Sequence, residues 1–399
     1  MKNNLRVPYA LAVFGEEEKK AVSEVLKTPQ IVAGKKAAEF EGRIAKLFGK
    51  KYGLLVNSGS SANLLALEVL GLPKGSEVIT PVLTFATTVS PILKTGLVPV
   101  FVDVKMGSYL LDIDQVKSMI TKKTRALMVP SLFGNIPDLP RLHAITKKHK
   151  IYLIEDSCDT LGAKIRGRST GIYSDISTTS FYASHIVTAA GEGGMVCLNN
   201  PDWYSKTRIL SGWGRRSSLN ETEDIDKRYK MKIGGVPYDA KFVFSEIGYN
   251  MRTTELSAAF GLAQLKKLDR YTAIRRKNFA ALTEFFGEYD QYFFLPDQMH
   301  GVETAWLAFP LTVKENAPFS RFEIVKHLEY NNIQTRPIFT GNILRQPGFE
   351  KIKRVERRGG YPVADLIMKQ SLVVGCHHGI EKKHIDKMKN VFQEFLERF

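Results

Sequence analysis

From about residue 15 to about residue 200, short apolar runs alternate with stretches of helical spacing, and this alternation leaves few architectures open. Helical spacing runs over 16–27 and 37–48. An apolar strand at 52–57 follows, then the turn Ser58-Gly59-Ser60 and a helix over 61–70. Further strands are predicted at 77–80, 98–102, 126–130 and 152–155, with helices over 114–119 and 139–149 between some of them. A short strand that is apolar throughout has both faces buried, so helices must cover the sheet on each side. The expected class is α/β with a mostly parallel sheet.

The pattern changes toward the C-terminus. Residues 253–286 carry a long helical pattern with room for a break, leading out of the first unit. Beyond it, strands at 307–313 and 370–374 mix with helices over 320–330 and 381–399. The expected organisation is a large domain over 1–265 and a smaller α+β domain over 266–399. A chain of 399 residues is long enough for two such cores. The polar stretch 217–230 reads as a mobile loop.

Several function classes drop out on composition. No segment has the uninterrupted apolar length of a membrane helix. The N-terminus, MKNNLRVPYALAVFGEEE, is a poor signal peptide, because acidic residues follow its short apolar stretch at once. The expected compartment is the cytoplasm, with no membrane partner. Cys158, Cys197 and Cys376 lie far apart, which speaks against a disulfide framework; the absence of any CxxC pair speaks against a metal site. The formal net charge of +16 raises nucleic acid as a partner. The cations are scattered among acids, as in EGRIAKLFGKK and KIKRVERR, and no nucleic-acid-reading motif is present, so none is expected. An anionic small substrate such as a nucleoside diphosphate fits the charge equally well.

Three segments bear on chemistry. Asn57-Ser58-Gly59-Ser60-Ser61 joins an apolar strand to a helix, whose N-terminus offers free N–H groups and small residues to a phosphate. Serine and asparagine are also ordinary N-caps. In Ile154-Glu155-Asp156-Ser157-Cys158-Asp159 an apolar strand ends in acids, at the edge where open α/β sheets bind ligands. A carboxylate there either pairs with a pyridinium nitrogen or caps the next helix. The third, Ser180-Phe181-Tyr182-Ala183-Ser184-His185, precedes Gly191-Glu192-Gly193-Gly194. By itself its histidine reads as structural and the glycines as a turn.

In order and spacing these segments resemble the nucleotide-sugar aminotransferases of the DegT/DnrJ family, fold-type-I enzymes of pyridoxal phosphate. The resemblance runs from Phe14-Gly15-Glu16-Glu17-Glu18 through Pro81-Val82-Leu83-Thr84-Phe85 to Gly248-Tyr249-Asn250-Met251-Arg252 and Glu255-Leu256, almost the whole chain. It implies that Gly59, Ser60 and Ser180 hold the cofactor phosphate, that Phe85 stacks on the pyridine ring rather than simply packing a core, and that Asp156 binds the ring nitrogen. It also implies that Asn250 reaches the phosphate of the partner subunit's cofactor, hence a homodimer with shared active sites.

Two departures refine the resemblance. Five positions after the serine of SFY the family carries the lysine that bonds to the cofactor; here that position is His185. Imidazole cannot form that bond but moves protons near neutral pH. The implied cofactor, pyridoxal 5'-phosphate or its pyridoxamine 5'-phosphate form, is therefore held non-covalently. Asp159 stands among the cofactor contacts where the family usually has glutamine. Together with Gln334-Thr335-Arg336-Pro337 and Gly341-Asn342-Ile343-Leu344-Arg345-Gln346-Pro347, these residues are similar to a histidine-for-lysine branch of the family, the sugar 3-dehydratases. One subgroup of that branch carries an iron–sulfur cluster. Cys158 matches one of its ligands, but Arg215-Arg216-Ser217-Ser218 supplies none of the others, so no cluster is expected.

The reaction this implies removes the C3 hydroxyl from a nucleotide-linked 4-keto-6-deoxyhexose. By resemblance the substrate is GDP-4-keto-6-deoxymannose and L-glutamate is the amino donor, in deoxysugar and O-antigen synthesis. CDP, UDP and dTDP remain open as nucleotides. His185 and Asp156 are the expected catalytic pair, His185 moving the proton and Asp156 keeping the ring protonated. Arg336 is a candidate for the glutamate carboxylate or for a surface ion pair. His377 and His378, after the apolar run SLVVGC, either line the sugar site or serve a turn or cap. Two rival readings are an aminotransferase of the family with a lysine-to-histidine change and a non-catalytic regulator on the same fold.

Overall fold

The computed structural model of the chain describes residues 5–399. Its main sheet has seven strands: β1 (Tyr52–Val56), β2 (Glu77–Pro81), β3 (Val98–Val102), β4 (Thr124–Pro130), β5 (Tyr152–Asp156), β6 (Ile176–Ser180) and β7 (Gly194–Leu198). Their spatial order is β1-β7-β6-β5-β4-β2-β3. Only β7 runs against the rest, pairing antiparallel with both β1 and β6. Successive residues of β4 show why the middle of such a strand is apolar on both faces. Ala126 and Met128 join one core with Leu65 and Ile154, whereas Leu127 and Val129 join another with Val100 and Leu153. Each fully buried aliphatic side chain of this kind contributes about 1.5–3 kcal/mol of hydrophobic stabilisation.

The alternation read from the sequence places β1 to β5 within a few residues of their observed ends. It misses β6 and β7. Strand β6 reads ISTTS, and its first three hydroxyls are buried because each has a partner. Ser177 donates to Glu155 at 2.8 Å, Thr178 to Asn63 Oδ1 at 2.6 Å and Thr179 to the Ser157 carbonyl at 3.0 Å. A polar strand of this sort carries no hydrophobic signature.

The long helical pattern splits into Glu255–Leu265 and Leu268–Gly287, with Lys266 and Lys267 at the break. Beyond it, Phe293–Phe294, Ala308–Val313 and Ser371–Gly375 form a small antiparallel sheet. The helices Arg321–Tyr330, Pro362–Gln370 and Lys382–Leu396 accompany it. The largest apolar cluster spans both parts, joining Phe286, Phe309 and Phe392 to Val7, Leu83, Phe101 and Phe133. The stretch 217–230 contains a short helix, Ile225–Arg228, where the sequence reads as loop, and the hairpin Met231–Ile233/Val236–Tyr238 follows it. Arg228 pairs there with Asp239. No helix among the described residues is long and apolar enough to cross a membrane.

Candidate active site

Strands β5 and β6 end side by side at Asp156 and Ser180, and β1 delivers the Ser58-Gly59-Ser60 turn beside them. Beyond these carboxyl ends lies a cavity of about 510 Å³, lined by Gly59, Ser60, Phe85, Asp156, Asp159, Ser180 and His185, among others. Seven of the residues singled out from the sequence thus converge.

The turn is built for close approach. Ser58 caps the helix Gly59–Glu68, its hydroxyl accepting from Ser61 N at 3.1 Å. A Cβ on Gly59 would stand 2.7 Å from Ser180 Cβ and 2.8 Å from Cys158 Sγ. One on Gly194 would stand 2.2 Å from the Ser58 carbonyl oxygen. The glycine run of the third segment therefore lets β7 pack against the first. Ser60 Oγ donates to Thr87 Oγ1 at 3.0 Å.

Asp156 is buried and held on both oxygens. Its Oδ2 accepts from Asn63 Nδ2 and from Thr88 Oγ1, both at 2.8 Å, and its Oδ1 accepts from Cys158 N at 3.2 Å. Thr178 fixes the Asn63 amide by donating to its oxygen, which turns the Nδ2 group toward the carboxylate. Glu155, one residue earlier, points to the other face of the sheet and is occupied by Ser157 and Ser177. Asp159 accepts one bond, from Phe133 N at 2.9 Å. Burial pushes its pKa up to about 7; the Phe133 N–H works against that and the neighbouring Asp156 charge adds to it.

His185 sits across the cavity, with Nδ1 3.4 Å from the Ser180 carbonyl oxygen and its ring edge-on to Tyr182. Burial pulls its pKa down to about 4; the Ser180 carbonyl opposes this and the Arg275 charge reinforces it. With the proton on Nδ1, the ring at neutral pH is an uncharged base whose lone pair is on Nε2. That atom has no hydrogen-bond partner among the described residues. Phe85 is 52% exposed and meets Phe339 edge-on at 5.8 Å, so it is a wall of the cavity and not a core residue. A glycine cradle, an exposed aromatic face and an anchored carboxylate together fit a flat nitrogen heterocycle with a phosphate arm.

The match to known proteins agrees with that geometry. The DegT/DnrJ/EryC1/StrS aminotransferase family model covers residues 13–393. The chain belongs to this family. It is 38% identical to a dTDP-4-dehydro-2,6-dideoxy-D-glucose 3-dehydratase of Saccharopolyspora spinosa, over 96% of this chain and 85% of that protein. It is 32% identical to a GDP-4-keto-6-deoxy-D-mannose 3-dehydratase of Yersinia pseudotuberculosis, over 98% of this chain and 99% of that one. A crystal structure of GDP-4-keto-6-deoxymannose 3-dehydratase with a trapped PLP-glutamate geminal diamine superposes with a TM-score of 0.88 at 28% identity, covering 96% of this chain and 99% of the other.

Four of the residues singled out from the sequence lie outside the cavity of this chain. Asn250 is exposed and forms an isolated antiparallel bridge with Gly212. Arg336 is exposed; its guanidinium donates to the Thr335 carbonyl at 2.7 Å and has no acidic partner among the described residues. The ion pair open to it from sequence is not formed.

His377 and His378 need correction as sugar-site residues, because both point into protein. His377 Nε2 lies 3.2 Å from the Pro8 carbonyl oxygen and its Nδ1 accepts from Gly379 N at 3.1 Å. His378 stacks on Tyr271 and accepts from Arg275 Nε at 3.1 Å. The sequence reading in turn misses Asn63, Thr88, Phe339 and Tyr9. Asn63 left a signal, as a lone amide in the apolar helix segment ANLLAL. Tyr9 left none.

Proposed function

We propose that this chain is a pyridoxal phosphate- and pyridoxamine phosphate-dependent 3-dehydratase of nucleotide-linked 4-keto-6-deoxyhexoses, with L-glutamate as amino donor. The observation that carries this reading is His185, at the family's lysine position, lining the cavity with Nε2 unpartnered among the described residues. When bound, the cofactor supplies a reactive amine and an electron sink.

The chain's own residues do the rest. Gly59, Ser60 and Ser180 receive the phosphate, and Phe85 covers one face of the ring. Asp156, fixed by Asn63 and Thr88, pairs with the ring nitrogen. Asp159 lies beside it as a second cofactor contact. Imidazole offers no covalent tether, so these contacts alone hold the cofactor. His185 Nε2 takes up one proton and delivers it to the departing C3 hydroxyl, a general acid–base role for which a neutral imidazole is suited.

The reading includes a homodimer. Phe242, Phe244 and Ile247 are exposed just before Asn250, and Ile247 is 97% exposed. Apolar side chains left uncovered in this way mark an interaction surface. Pairing through it would carry Asn250 to the partner's cavity. Three free thiols, Cys158, Cys197 and Cys376, suit the reducing cytoplasm.

The relatives' names make GDP-4-keto-6-deoxymannose the first substrate to test and a dTDP-linked 4-keto sugar the second. The experiment follows the cofactor spectrum of the loaded protein on addition of glutamate, then adds the sugar nucleotide. A 3-deoxy product with one equivalent of ammonia is expected. A spectral change followed by an amino sugar would make the chain an aminotransferase, and an unchanged spectrum with glutamate would favour a regulator.

A further inference from the structure

The first described residues of the chain form a strap across the C-terminal part, and it brings an unassigned side chain into the cavity. Val7 pairs on both sides with the segment 332–334: its N–H donates to the Asn332 carbonyl at 2.8 Å and its carbonyl accepts from Gln334 N at 2.9 Å. Tyr9 N donates to Gln334 Oε1 at 3.0 Å, and the Pro8 carbonyl meets His377 Nε2 at 3.2 Å. The strap lies so close to Gly375 that a Cβ there would stand 2.3 Å from the Pro8 oxygen and 3.0 Å from the Tyr9 oxygen. These clamps act on backbone or reach it, and their common result is that Tyr9 lines the same cavity as His185 and Asp159.

The segment that clamps the strap also carries Arg336, two residues after Gln334. Arg336 exchanges backbone bonds with Val373, at 3.2 Å and 2.8 Å, which fixes its position against the small sheet. Its guanidinium carbon lies 5.8 Å from the centre of the Tyr9 ring. A guanidinium with no acidic partner among the described residues therefore stands beside the phenol that lines the cavity. Burial, and after it the Asp159 charge, push the Tyr9 pKa up while Arg336 pulls it down. The phenol stays protonated at working pH and serves as a donor.

We propose that Tyr9 and Arg336 together form the carboxylate site for the amino donor, the phenol O–H and the guanidinium N–H groups donating to one carboxylate. This rests on the proposed function, which supplies the amino acid. A neutral donor paired with an unmatched cation suits a carboxylate better than a sugar hydroxyl, which would leave the charge unused. Gln334 and His377 are then positioning residues, acting through the strap.

The test measures calorimetric binding of glutarate, a dicarboxylate that lacks the amino group, to the cofactor-loaded protein. Tyr9→Phe removes only the hydroxyl and leaves the backbone clamps in place. Its affinity for glutarate should fall roughly tenfold, the size expected for one hydrogen bond to a charged group. Arg336→Gln should fall at least as far. In the double variant the two losses should not add, because both groups hold the same carboxylate. GDP affinity should stay within about twofold, since a bond to the nucleotide is the kind of contact whose loss would cost more. Unchanged glutarate binding in Tyr9→Phe, additive losses, or a fall in GDP affinity instead would each overturn the inference. A wild-type protein whose spectrum does not respond to glutamate would overturn the proposed function with it. A responsive wild type with an indifferent Tyr9→Phe would overturn the carboxylate site alone.

Discussion

His185 and the pair His377 and His378 belong to two regions of this molecule, and they differ in what meets the lone pair of the ring. His185 has a backbone carbonyl near Nδ1 and no partner among the described residues for Nε2, on the wall of a cavity. His377 has both nitrogens engaged by backbone, and His378 stacks on Tyr271 while its Nδ1 lone pair accepts from the fully buried Arg275, which leaves the proton on a buried Nε2 with no partner among the described residues. All three are held uncharged by burial first: His185 at about 4, His377 at about 3 and His378 at about 2. A depressed pKa therefore does not separate a catalytic histidine from a structural one here. The unused lone pair and the space in front of it do.

The largest effect that could break this contrast is at His185. His185→Asn should slow sugar dehydration by roughly 100- to 10,000-fold, the range for losing a positioned general acid–base group. Thermal stability should barely move, because Nε2 supports nothing in the protein. His185→Lys should restore the family's covalent link, so that borohydride fixes the cofactor to the chain, detectable by mass spectrometry. A His185→Asn enzyme with near-normal turnover would place the proton transfer elsewhere in the cavity.

The cavity also contains a carboxyl group under the same pressure. Asp159 has its pKa raised from an ordinary 3.8 to about 7, chiefly by burial. A raised value means the folded chain binds the proton more tightly than the unfolded chain does. That stability is complete below 3.8 and is lost as pH rises through about 7. Asp159→Asn should thus make the cofactor-free protein more stable at pH 8, by up to about 4 kcal/mol at roughly 1.4 kcal/mol per pKa unit. Near pH 4 it should make little difference. Urea melts of both proteins at the two pH values check the sign, and a variant destabilised at pH 8 would refute the buried, unpaired carboxylate.

His378 should behave in the opposite way to His185. His378→Ala leaves Arg275 Nε without its acceptor, and Arg275 Nη2 already lacks a partner among the described residues. A loss of about 2–3 kcal/mol in stability is expected for uncovering a buried charged donor, with turnover per folded molecule within about threefold of normal. The wild-type chain should also lose stability as pH falls below 6.5, because His377 and His378 have folded values below that ordinary one. His378→Ala should flatten that acid limb, which differential scanning calorimetry at pH 4 and pH 7 can show.

How far the sequence reveals this site depends on the kind of signal each residue leaves. Strands β1 to β5 are visible because each has an apolar run with side chains buried on both faces. The turn at Gly59 and the acids after β5 are visible because they end such strands. His185 is visible only against the lysine that its relatives carry. Strand β6 is hidden, since Ser177, Thr178 and Thr179 are buried through hydrogen bonds that sequence does not display. Asn250 lies outside the cavity of its own chain, and no periodicity in the sequence marks that. His377 and His378 mislead for a related reason. A histidine after an apolar strand looks the same whether a cavity or a backbone carbonyl lies beyond it.

The smallest expected effect is the one that tests whether the two regions are independent. His377 Nε2 holds the Pro8 carbonyl, one residue before Tyr9. His377→Ala removes that bond and should cost about 1 kcal/mol, an ordinary net value for a single hydrogen bond. The loss should not stay local, because the strap it releases carries Tyr9 to the cavity wall. Glutarate affinity should drop by about two- to threefold, less than a carboxylate contact is worth, since Val7 and Gln334 still hold the strap. GDP affinity should not change. His377→Gln, whose amide can still donate to Pro8, should recover most of the glutarate affinity. If His377→Ala lowers stability and leaves glutarate binding untouched, the buried histidines are purely structural. If it lowers both and glutamine rescues both, the structural region reaches the cavity through one backbone carbonyl.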